Sequence, residues 1–464
     1  MTEVERLASF AVRSSWDELS AEARTALKIR VLDALGCAIG ALEAEPIGAI
    51  REQTDDFAGR PLCTALGGGR TAPDRAAFLN GALVRYLDFN DSYLALGETC
   101  HPSDNLAPVL AAAEYATASG RDLLAALAVA YQVQCRLCDE APVRDRGFDH
   151  TTQGAYAVSA GVSRALGLDV ERAANALAIA GASLNALRVT RTTPLSHWKG
   201  FAYPATAFAA THAAFLAMRG ITGPPAVLEG TKGFVEAIAG HFTIDWEREN
   251  LERVRRTILK RFNAEIHAQS ALEAAVELRQ AHALDPAQIE RVELEIFDVA
   301  FQIIGGGEEG AKKAIATKED ADHSLPYLLA VALLDGRVLP EQFAPERIRQ
   351  DDVQALLGKV EVRSSAEFSR SFPQAHACRL RIGLHDGIVL AREKHDYEGF
   401  HTRPMGQGAA EAKFELLAAP HTDEALRAAL MDAVRHLEEI EVAELTGLFA
   451  ALPGKTVLAP SVSG

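Results

Sequence analysis

The apolar pattern of this chain changes period near residue 285 and changes back after Pro404. Before the change, apolar residues recur at helical spacing. Leu27, Val31, Leu35 and Ile39 form one such row, and Leu79, Leu83 and Leu87 form another. A row of this kind lines one side of a helix and has to be buried. After the change, Val292-Glu293-Leu294-Glu295-Ile296 alternates strictly. Val360-Glu361-Val362, Cys378-Arg379-Leu380-Arg381-Ile382 and Ile388-Val389-Leu390-Ala391 repeat that strand-like pattern. The two periods do not interchange, so the pattern predicts a mainly α protein with an α+β unit inserted into it. Residues 1–265 form the first helical part, 266–404 the α+β unit, and 405–464 the return to helix. At 464 residues the chain exceeds one ordinary core.

Within this frame the punctuation is legible. Residues 3–43 read as two helices, the second capped by Ser20 with Glu22 in its first turn. Gly36 and Gly40 predict close approach of a neighbouring helix. Leu66-Gly67-Gly68-Gly69-Arg70 lacks the spacing of a phosphate-binding loop and reads as a tight turn, after which Pro73 opens a helix. Residues 106–140 read as two buried helices broken at Ser119-Gly120-Arg121. Further helices are expected over Ala155–Leu166, Ala207–Met218, 264–284 and Leu328–Leu334, and from 405 to 450. The chain then closes in a loose Pro/Gly/Ser tail. No repeat at a fixed solenoid period is present.

A formal net charge of −16 argues against nucleic acid as a partner, because phosphate contacts need a basic surface. A small polyanion remains compatible if its cleft is locally basic. Six scattered cysteines fit a reducing compartment, and Cys135 and Cys138 lie in an apolar helical run that suits buried thiols better than metal ligands. The N-terminus lacks the basic and apolar regions of a signal peptide, and no run is long enough to span a membrane. A cytoplasmic location is expected.

Three stretches carry chemistry. The Leu79–Leu87 row delivers Asp88 and Asp91 to the C-terminal end of a helix, the end that disfavours carboxylates. A polar loop follows, with Ser92 and then His101 before Pro102-Ser103-Asp104-Asn105. His150 lies in a second polar loop leading into a buried helix whose N-terminal amides favour an anion. Arg188, Arg191, His197 and Lys199, interleaved with Trp198, Phe201 and Tyr203, cluster cations in an acidic chain. They read either as a solvated basic loop or as a carboxylate-binding wall, and the second reading is preferred. His267 and His323 read equally well as first-turn histidines bonded to backbone.

The run Leu87-Asp88-Phe89-Asn90-Asp91-Ser92 followed by His101-Pro102-Ser103 resembles the signature of the MmgE/PrpD family. That family includes 2-methylcitrate dehydratases, cis-aconitate decarboxylases and an iminodisuccinate epimerase. Five further blocks resemble it in order: 33–42, the Thr222-Gly223-Pro224 segment with Glu229-Gly230 and Gly233-Phe234, 260–274, 321–336, and 396–404 with Lys413-Phe414. The resemblance implies a large all-helical domain built from both chain ends and a smaller α+β lid. It also implies a homodimer, an active site between the domains, and no metal or organic cofactor. Its catalytic positions fall on Asp88, Ser92, His101, His150 and Lys199, the alignment of the lysine being open.

The reaction expected from the resemblance is dehydration of 2-methylcitrate to 2-methyl-cis-aconitate, with acceptance of citrate, a related tricarboxylate, left open. Such a site needs a base for a proton alpha to a carboxylate, an acid for the departing hydroxyl, and cations for the carboxylates. His101, oriented by Asp88, and His150 across the substrate are the expected acid–base pair. Lys199 with Arg188 or Arg191 is expected to bind carboxylates, and Ser92, Tyr203 and His267 to complete the cleft. The alternatives are cis-aconitate decarboxylation, epimerisation or isomerisation of a related dicarboxylate, and a non-catalytic helical scaffold. His101-Pro102-Ser103-Asp104-Asn105 favours the dehydratase form.

Overall fold

The computed structural model of the protein describes residues 1–192, 194–309 and 312–452. It is mainly helical, as the apolar spacing predicts. The helix Ala21–Gly40 begins at Ser20, whose Oγ accepts the Ala23 amide at 3.1 Å. Pro73 is the first residue of the helix Pro73–Tyr86. It follows a tight turn in which Gly67, Gly68 and Gly69 all take positive φ between paired residues 63–64 and 70–71. The apolar run at 106–140 divides into Leu106–Tyr115 and Gly120–Glu140.

Apolar side chains from these helices, and from Thr151–Ala165, Val170–Ser183 and Trp198–Met218, form one buried cluster. Phe414, Leu417, Leu430, Val434 and Phe449 join the same cluster from the far end of the chain. The helix Gln407–Ala418 lies directly on Ala21–Gly40, where a Cβ on Gly36 would stand 3.3 Å from Phe414 Cα. Lys413 on that helix pairs with buried Asp33 at 2.7 Å and donates to the Phe89 carbonyl at 2.7 Å. The chain's last helices are thereby tied to the loop that follows Asp88.

A second buried cluster draws its side chains from residues 262–382. Its centre is a four-stranded mixed sheet in the order Val360–Ser364, Ile289–Ile296, Cys378–Leu384, Val389–Lys394. The first pair is parallel, with Val292 opposite Val360, and the helices Leu325–Asp335 and Asp351–Gly358 fill the crossover that a parallel pair requires. The other two pairs are antiparallel, with Leu294 opposite Leu380 and Leu380 opposite Arg392. Val292, Leu294 and Ile296 are buried while Glu293 and Glu295 are partly exposed, as the alternation predicts.

The helices expected from Ala155 and Leu328 begin slightly earlier, at Thr151 and Leu325, and two further starts differ more. The helix expected from Ala207 begins at Trp198, with Pro204 inside it. Proline removes one backbone bond there, and its ring packs 3.6 Å from the Cβ position of Gly81. The single helix expected over 264–284 is a tight turn, Ile266–Ala268, followed by Gln269–Ala281, because the Glu265 carboxylate caps the His267 amide at 2.7 Å. The expected loose tail concerns residues 453–464, outside the described residues. Among the described residues, no helix is long and apolar enough to cross a membrane. All six cysteines are buried and unbridged, and Cys135 and Cys138 pack against Cys100, Tyr93 and Ala95.

Candidate active site

The helix Pro73–Tyr86 is capped by Leu87, and the next residue, Asp88, turns the chain with φ +56°. Its buried carboxylate sits at the disfavoured end of the helix dipole. Three cations offset this. Arg85 Nη1 lies 2.5 Å and Lys260 Nζ 2.6 Å from Oδ1, and Lys199 Nζ lies 3.2 Å from Oδ2. Burial alone would raise the Asp88 pKa, but Arg85, Lys260 and Lys199 hold it well below the usual carboxylate range. Asp91 serves a different end. It accepts the Ser103 amide at 2.9 Å and the Tyr131 hydroxyl at 2.8 Å, pinning the loop to the core.

His101 is oriented by that pinned loop. Its Nδ1 lies 2.8 Å from the Asp91 carbonyl, with Ser92 Oγ 3.0 Å from the same nitrogen. A carbonyl can only accept, so Nδ1 carries the proton and Nε2 keeps its lone pair. The Asp88 carboxylate expected to orient His101 does not do so, because three cations already draw it away. Burial, reinforced by Arg85 and Lys260, pushes the His101 pKa well below that of a free imidazole.

His150 stands opposite, its ring centroid 5.5 Å from that of His101. It immediately precedes the helix Thr151–Ala165, beside Asp149. Asp149 grips Arg191 with both oxygens, at 2.7 and 3.1 Å. Arg191 Nη1 also donates to the Lys199 carbonyl at 2.7 Å, and Nη2 lies 3.2 Å from His150 Nε2. A guanidinium only donates, so His150 accepts at Nε2 and carries its proton on Nδ1, which is buried with no partner. Burial, with Arg191 outweighed in part by Asp149, lowers the His150 pKa to about 3. Tyr203 stacks behind His150 at 6.0 Å, and its hydroxyl donates to Asn105 at 2.9 Å.

The facing side comes from residues of the second cluster's segment. Lys199 Nζ also lies 2.6 Å from Asp322 Oδ1, and Asp322 bonds His323 Nδ1 at 2.9 Å. Burial and Lys199 lower the His323 pKa to about 4. Glu265 pairs with His267 Nδ1 at 2.7 Å, leaving His267 Nε2 buried without a partner. Despite burial, His267 and His323 bring the Glu265 pKa down to about 2.

These groups enclose one cavity. Arg85, Asp88, His101, His150, Arg188 and Arg191 line it from one side, and Glu265, His267, Ile303, Glu309 and His323 from the other. Of the residues singled out in the sequence, Lys199, Ser92 and Tyr203 stand behind the wall rather than in it. The sequence reading did not single out Arg85, Lys260, Glu265 or Asp322 as site residues. Arg85 precedes Asp88 by one helical turn, a signal present in the sequence, whereas Lys260 reaches Asp88 across 172 residues. Asp88, Asp322 and His323 offer three ligand atoms within 4.8 Å of one another. The Lys199 ammonium bridges both carboxylates, standing where a metal ion would have to sit.

Residues 5–247 match the MmgE/PrpD N-terminal domain and residues 262–439 the MmgE/PrpD C-terminal domain. The chain is 30% identical over 405 residues to 2-methylcitrate dehydratase of Cupriavidus necator, covering 82% of each chain. It is 29% identical over 401 residues to 2-methylcitrate dehydratase of Escherichia coli K12, again covering 82% of each. It is also 28% identical over 447 residues to cis-aconitate decarboxylase of Mus musculus, covering 89% of this chain and 86% of the relative. With both family domains matched over most of its length, the chain belongs to the MmgE/PrpD family.

Proposed function

We propose that the protein is a hydro-lyase that removes water from 2-methylcitrate, by general acid–base catalysis without a cofactor. The observation that carries this reading is His101, whose tautomer is set by the Asp91 carbonyl so that an unprotonated Nε2 is available at a cavity bordered by guanidinium groups. Nε2 takes the proton alpha to a carboxylate. Arg85, Arg188 and Arg191 stabilise the enolate-like charge that develops. The departing hydroxyl leaves as water with the proton that the His101 imidazolium now carries, while neutral His150 faces it across the cavity. Lys199 acts from behind, keeping Asp88 and Asp322 ionised and together.

The convergence of Asp88, His101 and His150 on one cavity, with Lys199 directly behind Asp88, weighs against a non-catalytic scaffold. The reading includes a cytoplasmic homodimer in which residues 266–404 form a lid over residues 1–265 and 405–464. The separate clustering of two cores supports that division. Decarboxylation of cis-aconitate is the second reading, favoured by the similarity to the mouse decarboxylase over 89% of this chain.

The test is incubation of purified protein with 2-methylcitrate, citrate and cis-aconitate separately, with products identified by mass. Loss of water from 2-methylcitrate is the expected result. Loss of carbon dioxide from cis-aconitate instead moves the assignment to the second reading, and no reaction with any of the three overturns both.

A further inference from the structure

The cations around the cavity differ in what holds them. Arg85 and Lys260 are held by Asp88, Lys199 by Asp88 and Asp322, and Arg191 by both oxygens of Asp149. Arg188 is held mainly by Glu309, which lies 121 residues away in the α+β segment, with Asp149 Oδ2 more distant at 3.9 Å from Nη1. Arg188 Nε and Nη2 both reach Glu309 Oε1, while Oε2 is buried with no hydrogen-bond partner. A carboxylate matched to a guanidinium takes the fork with both oxygens, as Asp149 does with Arg191. Glu309 uses only one.

The pair also stands at a boundary. Arg144, Arg188, Ile303 and Glu309 line both the inner cavity and an adjoining open groove that runs past Gln302 and Glu308. An anion moving from groove to cavity passes the guanidinium groups of Arg144 and Arg188.

We infer that Glu309 is a placeholder for a substrate carboxylate on Arg188, and that it sets the affinity and selectivity of the site for polycarboxylates. An entering carboxylate takes both donors of the fork and releases Glu309 towards the groove, where water reaches its unpartnered oxygen. Exchanging one carboxylate for another leaves the charge around Arg188 unchanged. An uncharged ligand has nothing to offer Arg188 and does not displace Glu309. This inference rests on the carboxylate-substrate reading above and adds a residue to it.

The probe is tricarballylate, which has three carboxylates and no hydroxyl to lose, so that binding is read by calorimetry without turnover. Removing the competing charge in Glu309→Gln is expected to tighten tricarballylate about tenfold, equivalent to ~1.4 kcal/mol. The KM for 2-methylcitrate falls with it, by more than kcat changes. Glu309→Ala gives the same direction and covers a folding failure of the glutamine variant. Arg188→Ala weakens the probe, and adding Glu309→Gln to it restores nothing, because the two residues act as one unit. Unchanged or weaker binding in both Glu309 variants, or a gain that persists without Arg188, overturns the inference. So does a lack of tricarballylate binding by any form of the protein. Turnover of 2-methylcitrate without a Glu309 effect sinks only this inference. A Glu309 effect on binding without turnover of any of the three substrates sinks only the assigned reaction.

Discussion

Lys260 Nζ lies 2.6 Å from both the carboxylate and the backbone carbonyl of Asp88, a residue 172 positions away in the chain. One ammonium therefore satisfies a buried carboxylate at a helix C-terminus and steadies the left-handed turn at that residue. It also joins the start of the 260–274 block to the end of the Pro73–Tyr86 helix. The electrostatics of the cavity and the stability of the fold meet in this contact.

Lys260→Met is expected to lower folding stability by about 3 kcal/mol or more, the cost of leaving a buried charge without one of its partners. Chemical denaturation of parent and variant measures it. A midpoint unchanged within error would mean that Arg85 and Lys199 suffice for Asp88.

His101→Ala should reduce kcat/KM for 2-methylcitrate by roughly 10²–10⁴, the usual contribution of a positioned acid–base group. Its stability should fall by only about 1–3 kcal/mol, the cost of leaving the buried Asp91 carbonyl and Ser92 hydroxyl without the imidazole, so the variant still folds for assay. Turnover near the parent's would remove His101 from the mechanism.

The imidazoles are held neutral, and the pH dependence follows from the sign of their shifts. His150 is lowered to about 3, His323 to about 4, and His101 well below its free value, in each case first by burial. Below the ordinary imidazole pKa of about 6.5, the unfolded chain binds protons that the folded chain refuses. Stability from these groups is thus complete above pH ~6.5 and declines as the pH falls towards the folded values. The acid limb of kcat/KM, which reports the free base His101, should lie well below pH ~6.5. A thermal midpoint that rises on acidification, or an acid limb at the free imidazole value, would contradict this.

Gly154 lies on the helix that follows His150, and a Cβ there would stand 2.4 Å from the Tyr203 ring. Gly154→Ala is expected to cost about 1–3 kcal/mol by overpacking. Because Tyr203 stacks on His150, kcat should fall as well, in a protein that still folds. Assay and denaturation of one preparation separate the two effects, and loss of stability with unaltered kcat would show that the ring's position does not matter to His150.

Local pattern made much of the fold legible. Row spacing in Leu27–Ile39 and alternation in Val292–Ile296 depend on which face of an element is buried, and burial is written directly into residue order. Ser20 and Pro73 mark their helix starts for equally local reasons, a side-chain cap and a preset φ. The start at Trp198 was not legible, because the cost of Pro204 inside a helix is met by packing against Gly81, which lies more than a hundred positions earlier.

The site divides in the same way. The sequence by itself determined which residue types were available: Asp88 after an apolar helix, His101 and His150 in polar loops, and cations clustered from Arg188 to Lys199. Only the tertiary structure decided their electrostatic partners. It gave Asp88 to Lys260 and Lys199, His101 to the Asp91 carbonyl, and Arg188 to Glu309. Hydrophobic periodicity repeats along the chain and can be read from it. Charge pairing in a buried cavity depends on which segments meet in space and on how strongly low dielectric rewards their contact, and neither is encoded in spacing.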